Sequence, residues 1–335
     1  LLSLCYIPFL VFAQNSHVIN TIGNTFSPTS LTINFGDTVT WNNTQGFHNI
    51  NATLVAYPNN PEGFGNGVAS APWSFQWIFT LAGTYDYHCD PHVGFGMVGQ
   101  IIVNSPPPAT YVPDDNFEAY LEANGMGNGV PNDDYVTTAN INTVTHLNIN
   151  YLSITDLTGT EDFTLLTFLN CQNNQLTSLD VSNNLALTTL HCHTNQLTSL
   201  DVSNNLALTH LGCGDNQLTS LDVGANLALT YLVCGYNQLT SLDVSNNLAL
   251  TQLRCGNNSL TSLDVSQNLS LAQLVFYFNQ LTSLDVRNGN NQNFSTFDVV
   301  YNPNLTCINV DDVTYSTTNW TNIDAQHYFS ANCVA

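Results

Sequence analysis

The sequence predicts a mainly β protein of two modules: a sandwich or barrel over residues 14–104, then a solenoid with a 21-residue period entered through a short capping helix. Three observations predict it. Short alternating runs such as Leu31-Thr32-Ile33 and Thr38-Val39-Thr40-Trp41, separated by Gly, Asn and Pro, fill residues 14–104 and have the period of half-buried strands. From about residue 147 onward, Cys171, Cys192, Cys213, Cys234 and Cys255 recur every 21 residues, Phe276 takes the next turn, and Asp180, Asp201, Asp222, Asp243, Asp264 and Asp285 keep the same period. Charged residues make up only 8% of the 335, too few for long ion-paired helices or coiled coils.

Residues 1–13, LLSLCYIPFLVFA, are too short to span a bilayer and contain Pro8. They read as the apolar part of a secretory signal, with Val11-Phe12-Ala13 as the cleavage site and Cys5 removed with it. The chain opens on Leu1 without a basic segment and stops soon after Cys333, so the expectation is a fragment, with a C-terminal sorting region outside it. No later run is apolar and long enough to cross a membrane. The expected location is secreted or cell-surface, where disulfides are permitted.

After the first module, residues 105–111 form a linker that opens on Ser105-Pro106-Pro107-Pro108, a stiff spacer. Residues 112–146 are expected to cap the repeats. Within them, the run DDNFEAYLEAN from Asp114 has an acidic first turn, an apolar face of Phe117, Tyr120 and Leu121, and Gly125 to stop it. The repeats occupy residues 147–306. A full unit reads Leu187-x-x-Leu190-x-Cys192-x-x-Asn195-x-Leu197-x-x-Leu200-Asp201-Val202, and degenerate units at Leu147/Ile149 and Phe297/Val299 cover the two open ends. Residues 307–335 are the C-terminal cap.

This unit matches the leucine-rich-repeat template with Cys in the third apolar slot. It resembles the cysteine-ladder internalins and the LTSLDVS-type repeats of bacterial surface proteins. Each turn should lay one short strand in a parallel sheet, with Leu190 and Cys192 inward and Thr189, His191 and His193 toward solvent. Asn195 turns the chain, and 21 residues leave room only for a shallow, extended back. In-register cysteines stand about 4.8 Å apart with parallel Cβ vectors, farther than the ~3.8 Å of a disulfide, so a buried reduced ladder is expected. Cys307 and Cys333 lie outside the period, and a bridge between them would staple the cap.

The charge balance excludes several functions. Twenty-four acidic residues face two arginines, Arg254 and Arg287, and no lysine. A net charge of -22 leaves no basic face for nucleic acid or anionic membrane.

The strongest chemical signal surrounds Cys89. In Tyr85-Asp86-Tyr87-His88-Cys89-Asp90-Pro91-His92 and on to Met97, soft and borderline ligands fall at C-x2-H-x4-M between two strand-like runs. A fourth candidate, His48, stands upstream in Gly46-Phe47-His48-Asn49. A thiolate, two imidazoles and a thioether are the donor set of a blue copper site; the weak thioether holds a geometry between those the two copper oxidation states prefer. The alternatives are a zinc site or a structural domain without metal.

Here the sequence resembles the plastocyanin and pseudoazurin branch of the cupredoxins. Phe26-Ser27-Pro28, Gly36-Asp37-Thr38-Val39-Thr40-Trp41, His48-Asn49, the Tyr85–His92 run and Met97-x-Gly99 carry the resemblance. It implies a Greek-key β-sandwich, one type 1 copper on His48, Cys89, His92 and Met97, an Asn49 that steadies the thiolate, and His92, flanked by Val93 and Phe95, as electron port. The loop over residues 51–73 is longer than in small plastocyanins, so docking surfaces are expected to differ.

His88 alternates outward and reads as a surface residue; His17, His146 and His327 are assigned no role. On the repeat face, His191, His193 and His210 lie on adjacent turns with Tyr231, Tyr236, Tyr277 and Phe278, which reads as a recognition surface for a protein or glycan rather than a metal site. The stacked Asp column repels itself by roughly 1 kcal/mol per neighbouring pair before screening. Calcium bridging would relieve this; a solvated ladder among Ser and Asn is the plainer account. No Ser-His-Asp order, P-loop or paired-carboxylate motif stands in a supporting context. The expectation is an exported, non-enzymatic blue-copper protein for one-electron transfer with an unidentified redox partner, joined to a recognition module. The alternative is an adhesin or copper scavenger whose copper domain has no redox partner.

Overall fold

A computed structural model describes residues 15–333, so the expected export signal lies outside the described residues. The chain divides into two compact units, Leu1–Pro108 and Ala109–Ala335, each with its own hydrophobic core.

The first unit is a two-sheet sandwich. Its strands are β1 (Ser16–Ile22), β2 (Thr25–Ser27), β3 (Ser30–Asn34), β4 (Thr38–Asn43), β5 (Phe47–His48), β6 (Asn51–Ala52), β7 (Phe64–Gly65), β8 (Ala69–Ser70), β9 (Trp73–Ile78), β10 (Gly83–His88) and β11 (Val98–Asn104). One sheet has the order β2-β1-β4-β9 and the other β3-β11-β10-β6-β7, while β5 and β8 pair separately. The chain crosses between the sheets after β2 and again after β3, and β1–β4 and β3–β11 pair in parallel. Alternation sets the inner face: Val39 and Trp41 of β4 and Tyr85 and Tyr87 of β10 are fully buried. Trp41 packs on Phe64, Phe75, Phe79 and Tyr87, so the core is mainly aromatic. One buried polar device ties its base. Burial would raise the Asp37 carboxyl, but the N–H groups of Asn34 and Asn15 and the His17 ring hold it below its ordinary value. His17, which carried no role in the sequence, belongs to that device.

The second unit begins with helix α1 (Asp115–Ala123). The Asp114 carboxylate accepts the N–H groups of Asn116 and Phe117, and Gly125 leaves the helix in the left-handed region at φ 73°. Strands at His146–Asn148, Phe168–Asn170, Thr189–His191, His210–Gly212, Tyr231–Val233, Gln252–Arg254, Gln273–Val275 and Thr296–Asp298 then form an eight-stranded parallel sheet in chain order. Successive central strands pair in register, Leu190 with Leu211 and Leu211 with Leu232, which stacks the Leu column into one continuous core. The back is extended and, toward the C-terminus, becomes a second parallel sheet of Ser262–Asp264, Ser283–Asp285, Cys307–Asn309 and Tyr328–Ser330.

Two asparagine columns hold the turns. In the template column, Asn195 Nδ2 donates to the carbonyls of Cys171 and Cys192, and its Oδ1 accepts the Leu176 N–H. A second column, Asn184, Asn205, Asn226, Asn247 and Asn268, is fully buried, and each donates to two carbonyls of the preceding turn.

The five repeat cysteines are buried and free. Burial pushes the Cys171 thiol up to about 12. Because the slot asks for apolar volume, Cys192→Val should shift the urea-unfolding free energy by less than about 1.5 kcal/mol. A larger loss would show that the sulfur itself contributes. Cys307 and Cys333 are bridged, with Cα atoms 5.8 Å apart. They close a cap in which Trp320 packs on Phe294, Phe297 and Phe329.

Candidate metal centre

Three segments of the sandwich converge at one end. The short β5 carries His48, which is only 3% exposed. Its ring lies over Gly46, where a Cβ would stand 2.8 Å from Nε2, and Gly46 has φ 83°, so both space and backbone require glycine there. Cys89 follows β10 directly and is fully buried. From Cys89 the chain folds back on itself: His92 N–H donates to the Cys89 carbonyl at 3.0 Å, and Met97 N–H to the His92 carbonyl at 3.2 Å. The Cys89 N–H closes the loop on the Met97 carbonyl at 3.1 Å. A single 3-10 turn at Val93–Phe95 and a left-handed Gly96 complete the return into β11. Met97 is fully buried in the same core cluster.

Cys89 Sγ lies 3.6 Å from His48 Nδ1 and 3.4 Å from His92 Nδ1. All three donor atoms stand within 4.8 Å of one another. Burial, then the neighbouring His92, holds the His48 imidazole below its ordinary pKa, leaving its lone pair available to a metal at neutral pH. Burial raises the Cys89 thiol, opposed by the N–H groups of Asn49 and His92 and reinforced by Asp90. Without a metal the sulfur therefore keeps its proton, and a metal must displace it. One thiol and two Nδ1 atoms converging in a buried pocket fit copper, whose own charge would offset the cost of the thiolate there.

Partners outside the donor set fix these positions. Asn49 Oδ1 accepts the Asp90 N–H at 2.8 Å, and Asn49 Nδ2 donates to the Asp90 carboxylate at 2.7 Å, clasping the His48 strand to the Cys89 loop. The Asp90 carboxyl is held low by the Asn51 amide first, with Asn49 and His88 adding to it. His88 is not the surface residue that strand alternation predicts. Its side chain is 14% exposed and spans the Tyr57 hydroxyl and the Asp90 carboxylate. The long 51–73 loop supplies Tyr57 and also Asn66, which accepts the Ile50 N–H beside His48. The adjacency of Asn49, Asn51 and Asp90 to the ligands was the available signal for this network.

The other sequence candidates fall elsewhere. His191, His193, His210, Tyr231, Tyr236 and Tyr277 share the open face of the parallel sheet; the His191 and His193 ring centroids are 6.2 Å apart. Among the described residues, His/Cys/Asp/Glu donors within ligand distance group only at His48, Cys89 and His92 and at Asp115, Glu118 and Asp134. In the second group both Glu118 oxygens already accept the Asp133 and Asp134 N–H groups. The Asp column forms no such group, so the calcium expectation is without support. Its carboxylates instead accept the N–H two residues on, as Asp180 does from Ser182 and Asp243 from Ser245. Among the described residues no helix is long and apolar enough to cross a membrane.

A sandwich that closes one thiol and two imidazoles between strand ends defines a cupredoxin-like copper domain. A family model for copper binding proteins, plastocyanin/azurin family, matches residues 15–104. Over 83 residues the chain is 45% identical to plastocyanin of Scenedesmus fuscus, covering 23% of this chain and 85% of that one. It is 43% identical to chloroplastic plastocyanin of Tetradesmus obliquus over 83 residues, 23% of this chain and 57% of that longer one. The chain belongs, through this first unit, to the plastocyanin/azurin family of copper-binding proteins. A solved structure described as the functional domain of InlJ from Listeria monocytogenes, with a cysteine ladder, is 34% identical. That match has a TM-score of 0.48 and covers 61% of this chain and 52% of the other.

Proposed function

We propose that this protein is an exported one-electron carrier that binds one copper through His48, Cys89, His92 and Met97, and that its repeats attach it to a surface or partner. The observation that carries the copper reading is the convergence of Cys89 Sγ with the Nδ1 atoms of His48 and His92 in a buried pocket. Copper bound there would supply reversible one-electron chemistry. The chain's own residues do the rest. The backbone closure between Cys89, His92 and Met97 and the Asn49–Asp90 clasp hold the donors in place, so little rearrangement accompanies a change of charge. Val93 and Phe95, 44% and 79% exposed, present an apolar contact beside His92 for a redox partner.

Electrochemistry of the copper-loaded full chain tests this. Reversible reduction and reoxidation is expected; a tightly held Cu(I) that resists reoxidation would instead mark a copper scavenger. Met97→Gln should leave the visible colour in place, because the colour would come from the Cys89 thiolate, and lower the reduction potential, because an amide oxygen in place of the thioether would favour Cu(II) over Cu(I). An unchanged potential in that variant would remove Met97 from the donor set.

The recognition reading rests on the aromatic residues of the repeat face, Tyr236 exposed and Tyr231 and Tyr277 half-buried. Screening the full chain against immobilised glycans and proteins should yield a ligand lost when Tyr231, Tyr236 and Tyr277 are all changed to Ala. A ligand retained by that triple variant would move recognition off this face.

A further inference from the structure

The open face of the solenoid carries a groove of about 430 Å³, within the range of small-ligand sites. Its shape follows from one column of the repeat. Position by position that column reads His193, Gly214, Gly235, Gly256 and Tyr277, so three turns lack a side chain and the turns on either side have large ones. The result is a trough roughly 19 Å long, four strand spacings from His193 to Tyr277. Its floor cannot fill in. A Cβ at Gly235 would stand 2.8 Å from the Gly256 carbonyl oxygen, and one at Gly214 3.0 Å from that of Gly235.

The walls are aromatic and held in place. The Tyr277 ring lies across Gly256, with three ring atoms 3.0–3.1 Å from where a Cβ would be, and its hydroxyl reaches the Tyr236 hydroxyl at 3.4 Å. Tyr236 is 56% exposed and sits in the left-handed region at φ 56°, a conformation that costs a bulky residue roughly 1–2 kcal/mol. Asn257 occupies that position one turn on at no such cost. The same left-handed slot takes Thr194, Asp215 and Phe278 on other turns; at Tyr236 it sets an exposed ring on the wall of the groove.

Charge narrows the ligand. This chain has two cations against 24 acids. Arg287 is paired with Asp285, whereas Arg254 lines the groove, is exposed, bonds only Gln273 and has no ion pair among the described residues. Asp215 also lines the groove but belongs to a turn two strands away, about 10 Å, too far to neutralise the guanidinium. His191 and His193 are kept below their ordinary pKa, chiefly by burial, and at neutral pH offer donors and acceptors rather than charge.

We propose that this groove binds an acidic saccharide, with sugar ring faces on Tyr236 and Tyr277, hydroxyls on His191, His193 and Asp215, and a uronate carboxylate on Arg254. This rests on the reading of the repeat face as a recognition surface. The lining favours a sugar over a peptide for two reasons. The floor strands are already hydrogen-bonded on both sides, leaving no edge for an added strand. Among the described lining residues the only aliphatic side chains are Val233 and Val275, in register on either side of Arg254, so the remaining apolar surface is the aromatic faces that suit a sugar ring. A guanidinium meets a carboxylate with two parallel hydrogen bonds, which a neutral ester cannot return.

The test is calorimetric titration of the full chain with trigalacturonate, its neutral methyl ester and triglutamate. Trigalacturonate is expected to saturate and to bind more tightly than the ester. Arg254→Gln should lower the trigalacturonate affinity about tenfold or more, to the level of the ester. Tyr277→Ala, and Gly256→Ala through displacement of the Tyr277 ring, should weaken both saccharides. Arg287→Gln should change neither, and unchanged circular dichroism excludes misfolding. The proposal is overturned by no saturable trigalacturonate binding, by binding that ignores Arg254→Gln and both ring variants, or by triglutamate binding as tightly. In any of these cases a screen ligand sensitive to the triple tyrosine change would leave the recognition reading standing.

Discussion

Cys89→Ser is expected to abolish the intense visible absorption of the copper-loaded protein and to weaken copper binding by at least about a hundredfold, while the sandwich stays folded. The colour arises from charge transfer out of a thiolate, and Cys89 is the only cysteine in the first unit among the described residues. A hydroxyl in the same place is harder, far less acidic and a poor copper ligand. The fold should survive because it rests on Trp41 and the rings around it, and serine replaces one small buried side chain with another at a cost of about 1–3 kcal/mol. Copper uptake by the wild type should also weaken as pH falls. The thiol proton, held on by burial, must be displaced, so acid competes directly with the metal. His48, whose pKa is lowered, stays neutral further into acid and adds its own competition only below its ordinary range. Visible spectra and a copper-competition titration across pH check both points. A thiolate-to-copper band that persists in Cys89→Ser would sink the site.

The proposed donor set was legible because its chemistry is local. C-x2-H-x4-M puts three ligand types within nine residues of chain on a strand–loop–strand return, and His48 follows a strand of the same grammar. Of what fixes those donors only Asn49 was legible, through the family resemblance, and its partners were not, for the opposite reason. His88 meets Tyr57 across 31 residues and Asp90 meets Asn49 across 41, and strand alternation says nothing about a loop folding over the outer face. The repeats show the same division. Their period and inward Leu and Cys positions come from spacing alone. The glycine column at 214, 235 and 256 was equally visible, but its meaning depends on what flanks it in the stacked sheet, at His193 and Tyr277.

The second asparagine column also lay in plain sight, in the paired Asn residues of the VSNNLAL segment. The first of each pair varies along the chain, reading Asn183, Asn204, Ala225, Asn246 and Gln267. The second does not vary from Asn184 through Asn268. The structure supplies the reason. Asn226 is 0% exposed, and its Nδ2 donates at 3.0 Å to both the Val202 and the Asn205 carbonyls, joining its own turn to the one before. Its own carbonyl accepts the Asn247 amide at 3.0 Å, so the column continues into the next turn. Asn226→Ala removes both donated bonds at roughly 1 kcal/mol each and leaves a small polar void with nothing to refill it. The expected loss is about 2–3 kcal/mol by urea unfolding, because repeat stability depends on contacts between neighbouring turns. Asn204→Ala, at an exposed position where the next turn already has Ala225, should change it by less than about 0.5 kcal/mol. Equal effects from the two substitutions would mean that the buried column fills space without holding the turns together.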